Sequence, residues 1–304
     1  MTTTALVLGC DGFCGVPLVR ALRAGGGVRV IGADLRDTPA VEMDEHHRVD
    51  VADGPAVAAL VKAARPDWIF NLAGVAVGDV ERAYRVNLLG AVHVLEAARR
   101  ESPGSRIVLV GSAAEYGLVP EAANPLTEES SCTPVTPYGL SKHAMTEAGI
   151  AYARQHGLGV VVMRAFNIVG PGVPEHLVLG AVLARAKKAL AAGGEAVVKI
   201  GNLEARRDFV SVEDAVRAYV LAAKSDLAGE VINVCSGRAV SIRDVVERLL
   251  SFAPRPVRLE IDPSLYKAAD VPLAVGDPGK AELAIGWRAD GDVRAGVRSL
   301  WTQQ

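Results

Sequence analysis

A glycine triplet stands directly after an apolar segment of strand length, in ALVLGCDGFCG at residues 5–15. Gly9 allows a tight turn, Gly12 lets the backbone approach a pyrophosphate, and Gly15 lets the following helix pack closely on the strand. The amino end of that helix, next to Phe13 and Cys14, presents free N–H groups to an anion. The stretch predicts a strand–turn–helix unit that binds a dinucleotide, with these five residues around it.

A second apolar segment ends at Asp34, nineteen residues after Gly15. In dinucleotide-binding folds an acid at this place accepts hydrogen bonds from ribose hydroxyls, although an acid in a solvated loop is the alternative for Asp34 taken alone. Its carboxylate would repel a 2′-phosphate, so Asp34 favours NAD(H). Arg36 lies two residues further on and offers a guanidinium to such a phosphate, so NADP(H) stays open.

Segments of strand length alternate with segments of helical length over the first half of the chain. This alternation predicts βαβ units, and right-handed crossovers then give an α/β fold with a doubly wound parallel sheet, the Rossmann arrangement. The predicted strands are 4–9, 27–33, 67–72, 106–111 and 159–165, and the predicted helices are 13–24, 54–64, 80–100 and 138–156.

The alternation loosens beyond residue 170, where shorter pieces predict a smaller mixed α/β part. We therefore predict a dinucleotide-binding domain at 1–170, with returning segments near 207–240, and a mainly substrate-binding region at 171–304. The strands predicted here are 196–201, 207–212, 230–235 and 257–262, the helices are 176–191, 213–224 and one from a Ser241 cap to about 252, and 263–280 is predicted as loop.

Composition argues against several classes of function. Half of the residues are hydrophobic, but no apolar run reaches the roughly 18 residues that a membrane-spanning helix needs. The formal net charge of -2 gives no basic field for nucleic acid. The first four residues carry no basic region ahead of an apolar core, so we expect no signal peptide and a cytoplasmic protein. The four cysteines have no histidine cluster nearby, so we expect buried, reduced thiols and no metal.

Small and acidic residues follow two strand ends. Asp50 and Val51 come after a third strand that lies between 27–33 and 67–72, which makes 67–72 the fourth and 106–111 the fifth. Leu72, Ala73 and Gly74 end the fourth, within NLAG. Small residues at the carboxyl ends of parallel strands leave room for a cofactor, so we expect all five to contact it.

Tyr138 and Lys142 stand four residues apart in TPYGLSKHAM, a spacing that puts both side chains on one helix face. A tyrosine in water titrates at about pH 10, which is too high for acid–base work, and a neighbouring ammonium lowers that pKa. An ordinary surface contact is the alternative for such a pair. The context favours catalysis, because Ser112 ends the fifth predicted strand and its hydroxyl would hold a carbonyl oxygen beside the tyrosine.

The order of these motifs resembles that of the extended short-chain dehydrogenase/reductases, also called the NAD-dependent epimerase/dehydratase family. The resemblance covers nearly the whole chain and rests on GCDGFCG, NLAG, VNLLGAVHVLEAAR, GSAAEYG, PYGLSK, RAFNIVGPG and RRDFVSVEDAVRAY. Within the family, PLTEESSCTPVTPYGLSK, GNLEARRDF, INVCSG and DVP look most like the GDP-6-deoxy-4-keto-mannose reductases, which form GDP-rhamnose.

The resemblance implies roles for further residues. Asn87 would join the hydrogen-bond network beside the cofactor, and Phe166 would lie near the nicotinamide. Arg207 would bind the substrate diphosphate, with a salt bridge to an acid such as Asp208 as the alternative. Lys267 stands where the family often has an arginine that contacts the nucleotide. The implied substrate contacts are Ser112, Ala113, Ala114, Tyr138, Asn167, Arg207 and Lys267.

Ala113 and Ala114 also bear on dehydration. The 4,6-dehydratases of this family place acidic residues between the serine or threonine and the tyrosine, and an alanine methyl transfers no proton. Glu115 comes one position later and is expected to point the other way on an extended segment.

Together these features predict an NAD(P)H-dependent oxidoreductase that reduces the C4 ketone of a nucleotide-linked 4-keto-6-deoxy hexose, of the GDP-4-keto-6-deoxy-mannose type. A 4-epimerase of a nucleotide-linked hexose that retains NAD is one alternative. A non-catalytic dinucleotide-binding regulator is another, although Tyr138 and Lys142 are both present. The resemblance also implies a homodimer formed through helices 80–100 and 138–156.

Overall fold

Short apolar strands alternate with helices through the first half of the computed structural model, which describes residues 2–76, 79–266 and 271–302. The strands are Thr3–Leu8 (β1), Val28–Asp34 (β2), Glu45–Arg48 (β3), Trp68–Asn71 (β4), Arg106–Ser112 (β5), Gly159–Ala165 (β6), Asn167–Val169 (β7), Ala196–Ile200 (β8), Arg206–Ser211 (β9), Glu230–Val234 (β10), Ala239–Ser241 (β11), Val257–Ile261 (β12) and Leu273–Ala274 (β13). The α-helices are Gly15–Ala24 (α1), Gly54–Ala64 (α2), Val80–Ala83 (α3), Gly90–Glu101 (α4), Pro137–His156 (α5), Val178–Ala191 (α6), Val212–Lys224 (α7), Ile242–Leu250 (α8), Gly279–Ile285 (α9), Val293–Gly296 (α10) and Ser299–Thr302 (α11).

Seven parallel strands form the central sheet in the order β3-β2-β1-β4-β5-β6-β10. The chain winds outward from β1 through β2 to β3 on one side, and from β4 through β5 and β6 to β10 on the other. The predicted doubly wound parallel fold is confirmed. The winding reverses between β1 and β4, and in such sheets ligands bind at the carboxyl ends of the strands beside that point.

Both faces of the sheet are covered, which explains why its strands are apolar almost throughout. Successive side chains of a strand point to opposite faces. Accordingly, Val7 of β1 packs in a core with residues of α1 and α7, and its neighbours Leu6 and Leu8 pack in a second core with residues of α2, α4 and α5. The result is three layers, helix on sheet on helix.

The later part of the chain builds a smaller unit with its own core. β9 lies between β11 and β13 and also pairs with β7, while β8 pairs with β12. Helices α6 and α8 pack here around Leu179, Val182, Val245 and Leu249. From this later part, β10 joins the central sheet and α7 packs on it. The predicted domains 1–170 and 171–304, with returning segments near 207–240, stay a prediction.

Two elements differ from the sequence prediction. The predicted helix 80–100 is interrupted by a π-helical stretch, Tyr84–Leu89, between α3 and α4. π-helical turns inside helices are frequent at functional sites. The predicted loop 263–280 contains β13, which pairs with β9, and the start of α9. A two-residue strand carries no periodicity and forms because a partner strand is present.

Capping side chains fix the helix starts that matter for the site. The Thr136 hydroxyl accepts from the Gly139 amide at 3.0 Å, and Pro137 follows as the first residue of α5. This cap puts Tyr138 in the first turn of α5 and Lys142 one turn later. The predicted Ser241 cap is confirmed, since its hydroxyl accepts from the Asp244 amide at 3.0 Å.

Replacing Gly15 with alanine should destabilise the fold. A Cβ atom on Gly15 would lie 2.1 Å from the Gly9 carbonyl oxygen and 2.6 Å from that of Cys10, so α1 would have to move away from the turn. We expect a loss of about 1–3 kcal/mol in the free energy of unfolding, measured with urea. Gly25→Ala is the control, because its Cβ would meet nothing closer than 3.5 Å. Equal stability of the two variants would contradict the close packing.

Candidate active site

Two cavities lie along the carboxyl ends of the central strands. The first cavity, of about 470 Å³, extends from the glycine turn to the ends of β2 and β3. The second cavity, of about 490 Å³, extends from the ends of β4 and β5 toward the smaller unit. Leu72, Gly74 and Val75 line both cavities, so the two adjoin beside the point where the winding of the sheet reverses.

Glycines form the floor of the first cavity. Gly9 has φ +79°, and a Cβ there would lie 2.8 Å from the Ala73 amide nitrogen. Gly12 also lines the cavity, and so no side chain stands over the turn. An L side chain at Gly9 would be strained and would clash with the segment after β4. This bare floor beside the start of α1 fits the diphosphate of a dinucleotide.

Asp34 lines the first cavity with its carboxylate held in place. One oxygen accepts from the Leu35 amide at 2.7 Å and the other from the Asp11 amide at 3.2 Å. Each carboxylate oxygen keeps acceptor capacity for a ribose hydroxyl. Five other predicted residues also line this cavity: Asp50, Val51, Leu72, Ala73 and Gly74.

Three predicted cofactor residues lie outside the cavity walls. Arg36 is exposed and does not line either cavity, because the chain turns outward after Asp34. Gly15 packs beneath the turn rather than facing the cavity. Asn87 is buried behind the wall. That these three contact the cofactor directly stays a prediction.

The sequence analysis missed two arginines in the first cavity. Arg82 and Arg85 line it together with Val86. Arg85 and Val86 lie three and four residues after Arg82, a spacing that puts all three on one helix face. This spacing was the signal in the sequence that could have identified the two arginines. They bring positive charge to a cavity that is also lined by four acids: Asp34, Asp50, Asp79 and Glu81.

The second cavity brings Ser112, Tyr138 and Lys142 together, as predicted. Ser112 ends β5, and its hydroxyl forms a hydrogen bond with that of Tyr138. Lys142 is buried, and its ammonium donates to the Val110 carbonyl at 2.8 Å. An acid, a hydroxyl partner and a cation thus share one wall, which is the arrangement that proton transfer to a carbonyl oxygen needs.

Burial dominates the protonation of this group. It raises the pKa of Tyr138 above the usual 10.0, and the hydrogen bond with Ser112 opposes that rise. Burial also lowers the pKa of Lys142 from 10.5 to about 8. The expected lowering of the Tyr138 pKa by Lys142 does not appear, because removal of the phenol from water dominates and nearby Glu115 and Cys14 raise the pKa further. Tyr138 therefore keeps its proton at neutral pH.

Asn87 holds the wall between the two cavities. Its side chain accepts from the Val75 amide and donates to the Val75 carbonyl, both at 2.9 Å, and also donates to the Ser141 hydroxyl at 2.9 Å. Ser141 in turn donates to the Tyr138 carbonyl at 2.8 Å. Asn87 thereby ties the segment after β4 to the first turn of α5.

Glu115 points away from the second cavity, as expected, but for a different reason. Residues Ala113–Glu115 form a 3-10 turn rather than an extended segment. The buried carboxylate accepts from the Ser112 amide at 2.8 Å, from the Thr146 hydroxyl at 2.9 Å and from Arg164 at 3.0 Å. It is therefore fully engaged beneath the site.

The predicted substrate contacts that the structure describes all line the second cavity: Ala113, Ala114, Asn167 and Arg207 join Ser112 and Tyr138 there, and so does Phe166, a predicted cofactor contact. Arg207 donates to the carbonyls of Arg206 and Val271. The carboxylate of Asp208, the alternative partner, accepts from Ser236, Gly237 and Gly276. Lys267 lies outside the described residues. His176 and Thr136 also line the cavity and were not predicted.

Within the described residues, two groups place three possible metal ligands within 4.8 Å of one another. These are Cys10, Asp11 and His46, and Glu115, Cys132 and His143. In both groups the carboxylate is already hydrogen-bonded, and the Arg164 guanidinium on Glu115 opposes a cation. The expected absence of a metal stays a prediction. All four cysteines are free thiols, two of them buried.

Residues 5–235 match the model of the NAD dependent epimerase/dehydratase family. The chain therefore belongs to this family, and it is an NAD(P)-dependent oxidoreductase of the extended short-chain dehydrogenase/reductase type. It is 32% identical to dTDP-6-deoxy-L-talose 4-dehydrogenase (NAD(P)(+)) of Kitasatospora kifunensis, over 98% of this chain and 94% of that protein. It is 29% identical to GDP-6-deoxy-D-mannose reductase of Pseudomonas aeruginosa, over 99% and 96%.

A solved structure is similar over the same length. RMD from Pseudomonas aeruginosa complexed with NADPH superposes with a TM-score of 0.84 at 27% identity, covering 99% of this chain and 97% of that one. Among the described residues, no helix has both the length and the apolar character needed to cross a membrane.

Replacing Lys142 with methionine should stabilise the fold in the absence of ligand. A lysine whose pKa falls from 10.5 to about 8 on folding destabilises the folded state fully below pH 8, and the penalty vanishes as pH rises toward 10.5. We expect a gain of about 2 kcal/mol near neutral pH.

Urea unfolding at about pH 7 and about pH 10 measures this gain. It should shrink at the higher pH. Lys62→Met, a change on the exposed face of α2, is the control and should show no such pH dependence. A Lys142→Met variant less stable than the native protein at both pH values would contradict the conclusion that the buried charge of Lys142 destabilises the fold.

Proposed function

We propose that the protein modifies a nucleotide sugar by reducing the C4 ketone of a nucleotide-linked 4-keto-6-deoxy hexose with NAD(P)H. The observation that carries the proposal is the meeting of Ser112, Tyr138 and Lys142 where the first and second cavities adjoin. The names of the two relatives support the choice of sugar, since both describe oxidoreductases of nucleotide-linked 6-deoxy hexoses, and one names position 4. Their nucleotides differ, and we favour the GDP-linked substrate from the motif resemblance.

The first cavity holds the cofactor in this proposal. Gly9 and Gly12 accommodate its diphosphate, and Asp34 accepts from the ribose of its adenosine half. Lys142 reaches the ribose of the other half from the shared wall. The bound nicotinamide supplies the hydride that the reduction requires.

Tyr138 acts as the general acid. Its raised pKa keeps the phenol protonated before the reaction, which is the form that can donate to a ketone oxygen as negative charge develops there. Ser112 donates to the same oxygen and orients it. Once the proton has left Tyr138, the nearby Lys142 ammonium stabilises the phenolate.

The surroundings of Ser112 argue against a 4,6-dehydratase. Ala113 and Ala114 line the second cavity and offer no acid or base. Glu115 is turned beneath the site and is held by Ser112, Thr146 and Arg164. Loss of water from C6 needs a proton donor and an acceptor besides the tyrosine, and Ala113, Ala114 and the turned-away Glu115 supply neither.

A panel of nucleotide-linked 4-keto-6-deoxy sugars tests the proposal, with oxidation of NADH and of NADPH followed by absorbance. The proposal predicts one cofactor consumed per sugar reduced. Interconversion of C4 epimers without net consumption would establish the epimerase instead. Binding of cofactor with no turnover on any sugar would establish the regulator.

Tyr138→Phe should fold normally and lose turnover by about 10²–10⁴-fold, the usual effect of removing a general acid. Tyr152→Phe is the control, because it deletes a hydroxyl from the same helix where that hydroxyl contacts Glu96 rather than either cavity. Steady-state reduction of the preferred sugar measures both variants. A Tyr138→Phe enzyme as fast as the control would remove Tyr138 from the mechanism.

Asp34 should make NADH the preferred cofactor. Its carboxylate would repel a 2′-phosphate, and Asp34→Ala should raise the relative kcat/KM for NADPH by about tenfold. The comparison uses both reduced cofactors at one sugar concentration. A native preference for NADPH that Asp34→Ala leaves unchanged would show that Asp34 does not face the ribose. The homodimer and the cytoplasmic location stay predictions from the sequence.

A further inference from the structure

A buried carboxylate lies directly behind Asp34. The side chain of Asp11, which follows the turn at Gly9, is fully buried and has two partners. One oxygen accepts from the Ala40 amide at 2.7 Å, and the other contacts His46 Nε2 at 3.0 Å. Because an ionised carboxylate only accepts hydrogen bonds, the proton between them belongs to His46. We call these two side chains the Asp11–His46 pair.

Asp11 also contacts the chain between β2 and β3 at two points, at the end of β2 and near the middle of the loop 35–44. Its amide donates to Asp34 at 3.2 Å, and its carboxylate accepts from the Ala40 amide. Residues 35–40 contain Arg36, and Leu35 lines the first cavity beside Asp34. The hydrogen bonds of Asp11 thus fix the course of the loop that keeps Arg36 outside the cavity.

The pair also sets the charge at this end of the first cavity. The carboxylates of Asp11 and Asp34 both act on the thiol of Cys10, whose pKa rises to about 12 mainly through burial and further through these two charges. Two negative charges therefore lie close together. His46, on the neighbouring strand β3, is the cationic group that faces Asp11 when it carries a second proton.

Other charged groups nearby are engaged at the surface. Arg48 of β3 pairs with Asp37 of the loop at 3.0 Å, and both are well exposed. His47, next to His46 on β3, points the other way and contacts Glu45. The side chain of His46 is 9% exposed, against 43% for His47. Solvent screens the exposed groups far more than the buried pair.

We propose that the Asp11–His46 pair sets the preference of the first cavity between NADH and NADPH. Asp11 adds a second negative charge behind Asp34 and so disfavours a 2′-phosphate. His46, when protonated, offsets that charge and makes the phosphate more acceptable. Asp11 and His46 act through the electrostatic field in the first cavity and through the position of the loop after β2. Neither residue touches the cofactor. The inference rests on the proposed function in needing a nicotinamide dinucleotide in this cavity, but it does not depend on the sugar.

The experiment measures dissociation constants of NADH and NADPH, by cofactor fluorescence, without a sugar substrate. Asp11→Asn keeps an oxygen for the Ala40 amide and removes the charge. It should improve NADPH binding relative to NADH by about tenfold, the scale expected when one of two close like charges is removed. A merely structural defect would weaken both cofactors together and leave their ratio unchanged.

His46→Gln keeps a donor for Asp11 and removes the ionisable ring. It should weaken NADPH relative to NADH by about threefold, because it removes the ring that can carry a positive charge beside Asp11. His47→Gln is the matched control and should keep the native ratio within about twofold, because an exposed charge is screened.

A ratio within twofold of the native value in both Asp11→Asn and His46→Gln, with both cofactors still bound, overturns the inference and leaves the proposed function standing. Tight binding with the expected ratios but no turnover on any 4-keto sugar overturns the proposed function alone. Should Asp11→Asn fail to fold in thermal unfolding, the comparison of His46→Gln with His47→Gln decides by itself. A native protein that binds neither cofactor overturns both.

Discussion

The close approach of helix α1 to the turn after β1 determines the rest of the site. Gly15 lies so near the Gly9 carbonyl that no side chain fits between them. This contact places the start of α1 beside the first cavity and sends Phe13 and Cys14 into the second. It also points Asp11 back under the sheet toward His46. One backbone contact thus positions both the glycine floor of the first cavity and the charges behind it.

Burial keeps the phenol of Tyr138 in the protonated form that the proposed reduction needs. A phenol removed from water keeps its proton, and a reductase needs a proton donor at the start of its reaction. The same burial works against Lys142, whose charge the fold holds at a free-energy cost. Such tension between stability and function is common at active sites. Asn87 and Ser141 keep the tyrosine and the wall after β4 in a fixed relation.

The fold and the centre of the site could be predicted from sequence because they depend on local spacing. Strand-and-helix alternation gave the sheet, and the four-residue spacing of Tyr138 and Lys142 placed both on one wall. The features that were not predicted depend on contacts between residues far apart in the sequence. The π-helical stretch at Tyr84–Leu89, the 3-10 turn that buries Glu115 and the pairing of β13 leave no distinct pattern in the chain. Arg82 was missed because it reaches the first cavity from a helix 48 positions after Asp34.

In the proposed reaction a hydride passes to C4 of a nucleotide-linked sugar, and Tyr138 supplies the proton. NADH deuterated at C4 of its nicotinamide tests this transfer, with the product sugar analysed by NMR. We expect one deuterium at C4 of the 6-deoxy hexose and one equivalent of cofactor oxidised. Deuterium at another carbon, or an inverted C4 centre formed without label and without cofactor consumption, would contradict it.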